Sequence, residues 1–108
     1  MNIRNFVATI ANAGTTSNAI DLGSATVVGM YIPSAFTGTA ITFTACTTAT
    51  GTFHPLKDGA GAAVSKTVAA SDYIYLDPTI FAGISFVKLV SGSAEAADRA
   101  IILAARTV

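Results

Sequence analysis

Residues 40–56 read AITFTACTTATGTFHPL. Ile41, Phe43 and Ala45 alternate with Thr42, Thr44 and Cys46, so one face is apolar and the other is mostly threonine. That two-residue period is the pattern of a half-buried β-strand. Residues 47–52 form a small-residue turn containing Gly51, and residues 53–56 resume the extended pattern. The stretch is expected to form a hairpin with a loose loop, in the middle of an antiparallel sheet.

Working towards the N-terminus, residues 24–33 (SATVVGMYIP) carry Val27, Val28, Met30, Tyr31 and Ile32 on both faces. This suits a central strand covered on two sides, and Pro33 ends it because proline cannot donate to a ladder. A short strand is expected over 19–22, after a turn at 13–18. In residues 1–12, Ile3, Phe6, Val7 and Ile10 fit a helical stripe, while Phe6, Ala8 and Ile10 fit a strand. The asparagines and β-branched residues favour an extended arm or first strand. Such a segment completes its own sheet or adds to a neighbour's edge.

Towards the C-terminus, residues 57–63 (KDGAGAA) read as a turn with Asp58 and Gly59 at its tip. Short strands are expected over 64–70 and 73–76. Asp77 is a good N-cap, Pro78 a good first helical residue and Gly83 a good stop, predicting one helical turn near 78–82. Residues 85–91 read as a strand and 92–98 as a loop holding Glu95 and Asp98. Residues 99–108 close the chain, with Ile101 and Leu103 on one face and Ile102, Ala104 and Arg106 on the other. Short strands separated by turn signals predict a single all-β domain, a sandwich or a barrel.

The chain of 108 residues is 52% hydrophobic and 11% charged, against about 25% charged in an average globular protein. Its formal net charge is zero and it has no lysine–arginine cluster, which argues against nucleic acid as a partner. Between Arg4 and Lys57 the sole charge is Asp21. Two readings fit: a threonine-covered surface, or a first half that faces other protein subunits, where charge is depleted. Residues 22–56 are uncharged, but Gly29, Pro33, Ser34 and Gly38 interrupt them, so a membrane span of about 18 apolar residues is not expected. Arg4 ahead of FVATI and the Ala11-Asn12-Ala13 triplet imitate a signal peptide, with an apolar run short of the usual ~7–15 residues. Synthesis in a cytoplasm is therefore expected.

Candidate chemistry is sparse. Cys46 and His54 are the only cysteine and histidine, and no nearby residue type supplies an orienting group or an oxyanion hole. Zinc requires more nitrogen or sulfur ligands than these. Asp58, Asp72, Asp77, Glu95 and Asp98 fall in or near loops but lack the spacing of a calcium loop. Gly59 and Gly61 lack the lysine and helix of a phosphate loop. Tyr31, Tyr73, Tyr75 and Phe53 are candidate sugar platforms or core residues, with Tyr73 and Tyr75 on a shared face. Glu95, Asp98 and Arg99 are expected to pair at the surface, where ion pairs add little. No catalytic residue, cofactor or metal ligand is assigned, and no enzymatic activity is expected.

Three segments then carry a resemblance: ITFTACTTATGTFHPLKDGAG, YIYLDPTIFAGISFVKLVSGSA and ADRAIILAARTV. They resemble small β-sandwich virion proteins of tailed bacteriophages and prophages. In that family an ITFxxS strand leads into a glycine turn and an aromatic residue. An LDPxxFAGxxFxKLxSG segment and an ADRxIxLxxR strand follow. The matching positions are residues 41–45, 51–53, 76–92 and 97–106, within a similarity over 24–108, and residues 47–50 depart from the family's acidic turn. The first strand and loop are also similar to discoidin-like jelly rolls, whose members often bind sugars.

The resemblance implies a single antiparallel β-sandwich, jelly-roll-like, over residues 13–108, with 1–12 as an arm or first strand. It implies a capsid decoration or cement protein on the outer surface of a phage head, bound to the major capsid protein and forming a homo-oligomer. The interface candidates are Ile3, Phe6, Val7 and Ile10 in the arm, and the uncharged loops near Phe36 and Thr48. The alternative is a carbohydrate- or receptor-binding module of a phage fibre.

Overall fold

A computed structural model describes residues 2–107. Met1 and Val108, the outer ends of the expected arm and sandwich, lie outside the described residues. The strands are β1 (Asn2–Ile10), β2 (Ile20–Asp21), β3 (Thr26–Tyr31), β4 (Ala40–Cys46), β5 (His54–Pro55), β6 (Ser65–Thr67), β7 (Tyr73–Tyr75), β8 (Phe86–Ser91) and β9 (Arg99–Thr107). One short helix, α1 (Pro78–Phe81), lies between β7 and β8.

These strands form two antiparallel sheets. Sheet A runs β1-β9-β3-β7, and sheet B runs β2-β8-β4-β5 with β6 also paired to β4. Successive segments of the chain switch sheet: β1 in A, β2 in B, β3 in A, β4 to β6 in B, then β7, β8 and β9 in A, B and A. This alternation is the jelly-roll form of the β-sandwich. The opening stretch forms the expected hairpin, but only its first strand lies in the middle of the sheet, and its second is a two-residue edge. β4 is interior to sheet B, with Phe43 opposite Leu89 on β8 and Thr44 opposite Pro55 on β5. Pro55 sits on an edge strand, where its missing N–H costs no ladder bond.

The inward faces supply one core. Phe43, Phe81, Met30, Leu76, Leu89, Ile101 and Leu103 are all fully buried, and the Phe43 and Phe81 rings meet edge to face with centroids 5.2 Å apart. The helical turn starts as its punctuation predicts. The Asp77 carboxylate accepts the Thr79 N–H at 3.0 Å and the Thr79 hydroxyl at 2.8 Å, and these donors hold its carboxyl below the usual carboxylate range. Gly83 follows with φ 91°, a left-handed conformation that glycine tolerates.

Of the two readings of residues 1–12, arm or first strand, residues 2–10 take the second: β1 pairs with β9 along its whole length, from Asn2 opposite Thr107 to Ile10 opposite Arg99. Other expectations change. Ile10 and Phe36, expected at an interface, are core, at 0% and 4% exposure. Ile10 shares the inward parity of Ala8, and Phe36, in the loop after Pro33, belongs to the buried core cluster. β3 is covered on one side, with Val27 and Met30 buried and Tyr31 half exposed on the other face, and its register slips between Val27 and Gly29. That bulge places Val27 and Met30 inside and leaves Tyr31 outside.

Candidate functional site

The outer face of sheet A is built by one row of register partners. Val7 on β1 lies opposite Ile102 on β9, Ile102 opposite Tyr31 on β3, and Tyr31 opposite Tyr73 on β7. Strands about 4.8 Å apart make this row roughly 14 Å wide. Two residues along each strand, the next row is Asn5, Ala104, Gly29 and Tyr75. Ile3, Arg106 and Thr26 follow. The large apolar side chains that stand exposed among the described residues are Ile3, Val7, Tyr31, Tyr73, Tyr75 and Ile102. By strand parity all of them fall on this one face.

The tyrosines are positioned by their neighbours. Their rings at 31 and 73 lie 4.6 Å apart, tilted by 54°. The Tyr73 ring leans over Gly29, filling the space that a side chain there would need. Glycine at this position is therefore what lets the ring lie down on the sheet. Beyond Thr26 and Arg106, a shallow apolar groove of about 310 Å³ runs between the β3 bulge and α1, lined by Val28, Pro78 and Ala82 among others. No carboxylate occupies these rows, so the face is apolar and aromatic, with Arg106 at its margin.

Of the interface candidates, Ile3 and Val7 lie on this face, at 76% and 53% exposure. Phe6 points inward, half-buried against the core, with the Arg4 guanidinium 5.1 Å from its ring centre. Thr48 is exposed but belongs to the loop after β4 in sheet B, so it is not part of the face. Tyr31, Tyr73 and Tyr75, candidates for a sugar platform but not for an interface, stand on this face with Ile102, which was no candidate. The alternation of Tyr73 and Tyr75 about Ile74 was the available signal.

A cleft of about 490 Å³ at the far end of the β4–β5 hairpin holds Cys46, Thr48, Gly51 and His54. His54 is opposite Ala45, so it leaves the hairpin on the other face from Cys46. No hydrogen bond joins the two, and no carboxylate lines the cleft. Cys46 Sγ instead accepts the Thr48 N–H at 3.5 Å, which draws the thiol below its ordinary value. A nucleophile without a positioned base is poorly equipped for covalent chemistry. Phe53, the other candidate platform, lies under the Lys88 ammonium at 4.4 Å. Among the described residues no three His, Cys, Asp or Glu side chains converge on a metal-sized site.

Glu95 is the largest departure from expectation. Its side chain is fully buried rather than paired at the surface. Oε1 accepts the Thr37 N–H at 3.0 Å and Arg99 Nε at 2.9 Å. Oε2 accepts the Thr37 hydroxyl at 2.9 Å and the Gly38 N–H at 3.0 Å. Its carbonyl takes the Ala13 N–H at 2.8 Å, and nearby Asp98 takes the Asn12 N–H at 2.7 Å. One residue thus ties three loops together at one end of the sandwich. Burial pushes its pKa up, but the donors from Thr37, Arg99 and Gly38 outweigh burial and hold it below the usual carboxylate range. This is a structural clamp with its acceptors already occupied, not an acid waiting for a substrate.

No protein-family profile matches the chain, and no curated protein matches its sequence.

Proposed function

We propose that this chain is a structural, non-enzymatic virion protein, a capsid decoration or cement protein that binds major-capsid subunits and copies of itself on the outside of a phage head. Two things support the reading: the resemblance of its strand segments to phage β-sandwich virion proteins, and the outer face of sheet A. The single observation that carries it is the gathering of the exposed large apolar side chains onto that face. Scattered exposed leucines and valines are ordinary on any protein, whereas a contiguous aromatic and aliphatic patch is the usual mark of a protein–protein contact. A zero net charge suits dense packing of many copies, because neighbours do not repel.

Exposure of Tyr73 and Tyr75 gives the sugar-binding alternative half of what it needs. The missing half is polar: the positions in register with these rings are Tyr31, Gly29, Ile102 and Ala104, which supply only the tyrosine hydroxyl to fix a sugar. A fold of this type is used by capsid and lectin domains alike, so it decides nothing by itself. Electron microscopy of heads assembled with and without the chain tests the proposal. Extra ordered density on the outer surface, only when the chain is present, is expected. Bare heads at saturating chain, together with retention on a glycan array, would replace the cement reading by the sugar reading.

A further inference from the structure

The edge strands of the two sheets are unequal. β2, β5 and β7 are two or three residues long, and β5 carries Pro55. Short edges and prolines are the usual protections against pairing with another chain. β1 also ends a sheet, yet it is nine residues long, regular in register against β9, and contains neither proline nor lysine.

The direction of its main-chain groups can be read from one residue. Thr9 N–H donates to Asn18 Oδ1 at 2.8 Å, and Thr9 carbonyl accepts the Asn18 N–H at 3.3 Å. Asn18 lies on the side of β1 away from β9, in the connection to β2. Main-chain groups in an antiparallel ladder alternate sides with a period of two. Those of Ile3, Asn5 and Val7 therefore point off the sheet as Thr9's do, and among the described residues nothing takes them.

We infer that a second copy of this chain pairs its β1 antiparallel with the first, about a two-fold axis at Asn5. In that register Asn5 exchanges both main-chain bonds with Asn5 of the second copy, and Ile3 does so with Val7. Every outward donor and acceptor of Ile3, Asn5 and Val7 is then used. An axis at Val7 would run the second copy into Asn18, and an axis at Ile3 would leave Val7 unpaired. The register also sets Ile3 beside Val7 on the outer surface, so the apolar faces of the two copies join into one continuous sheet surface. Arg4 comes opposite Phe6 of the second copy, while the two Arg4 side chains meet diagonally. Added salt screens that repulsion and tightens the pair. This deepens the self-association part of the function proposed above. It is tested on the chain alone, so its failure would leave binding to heads untouched.

Sedimentation of the isolated chain is expected to give twice the 10.9 kDa chain mass. Asn5→Pro removes the central outward N–H while leaving the β9 ladder intact, and is expected to remain a monomer with an unchanged circular-dichroism spectrum. In a Cys46→Ser background, Asn5→Cys is expected to form a disulfide-linked dimer on mild oxidation. The Cα separation of about 5.5 Å in a hydrogen-bonded antiparallel pair suits such a bridge. Ile3→Cys should cross-link only when mixed with Val7→Cys. A wild-type monomer at every concentration, an Asn5→Pro variant that still pairs, or self-cross-linking by Ile3→Cys would each overturn the inference. If Asn5→Pro does not fold, the cysteine pairs decide alone.

Discussion

Replacing Glu95 with glutamine keeps the shape of the side chain and removes two things, a charge and one acceptor. The amide has to go where it clashes least. At Oε1 it would face both the Thr37 N–H and Arg99 Nε. At Oε2 it meets the Thr37 hydroxyl, which can turn to accept, and the Gly38 N–H, which cannot. The best placement therefore strands one buried main-chain donor and weakens the Arg99 contact, a cost of about 2 kcal/mol. Glu95→Ala strands the N–H groups of both Thr37 and Gly38 and leaves Arg99 without its carboxylate, a cost of about 3–5 kcal/mol. For a domain of this size, Glu95→Gln should lower Tm by roughly 8–12 °C. The pH dependence separates charge from shape. The folded-state pKa of Glu95 lies below its unfolded value, so its stabilisation is full above about pH 4.3 and is lost as pH falls through the folded value. Urea unfolding at several pH values should show the wild type falling towards Glu95→Gln in acid, with a constant gap above pH 5. A gap within error of zero at neutral pH, or one that widens in acid, would refute the clamp.

Other expectations follow from single contacts. Phe43→Ala removes half of the buried edge-to-face pair and should cost about 3–5 kcal/mol in urea unfolding. Gly29→Ala puts a methyl group where the Tyr73 ring lies. The ring is the free end of a side chain, so the near-ultraviolet tyrosine signal should change while Tm falls by only a few degrees. Cys46 should react with iodoacetamide with a midpoint below that of an ordinary thiol, because the Thr48 N–H supports the thiolate. Thr48→Pro should raise that midpoint, and Thr48→Ala, which keeps the N–H, should move it less.

The parts of the fold visible in the sequence are those with local causes. The β4 alternation, the Asp77-Pro78 start and the Gly83 stop, and the two faces of β9 each depend on neighbouring residues, and each stands where its pattern puts it. The exposed apolar face was only half visible. Ile3 and Val7 show in the alternation of β1, but β3 reads as apolar on both faces, which made Tyr31 a core residue as readily as a sugar platform, and the bulge at Val28 hides which face is which. A bulge leaves no reliable mark in a run of valines. Glu95 was misread for a different reason. Its main-chain donors are 57 and 58 residues away, so its burial comes from loops meeting in space. Arg99 four residues on was its one local sign. Truncation of residues 1–12, attractive for a detached arm, would strip Ala8 and Ile10 from the core and bare the β9 edge.

The central claim is that the outer face of sheet A holds the chain to its neighbours. The most direct measurement is co-sedimentation of the chain with phage heads that lack it, comparing the wild type with a Tyr31→Ser, Ile102→Ser double variant. Both positions are surface-exposed, so the variant should melt near the wild type. Saturable binding by the wild type and at least a tenfold weaker binding by the folded variant is the predicted result. Equal binding by the two proteins would contradict it.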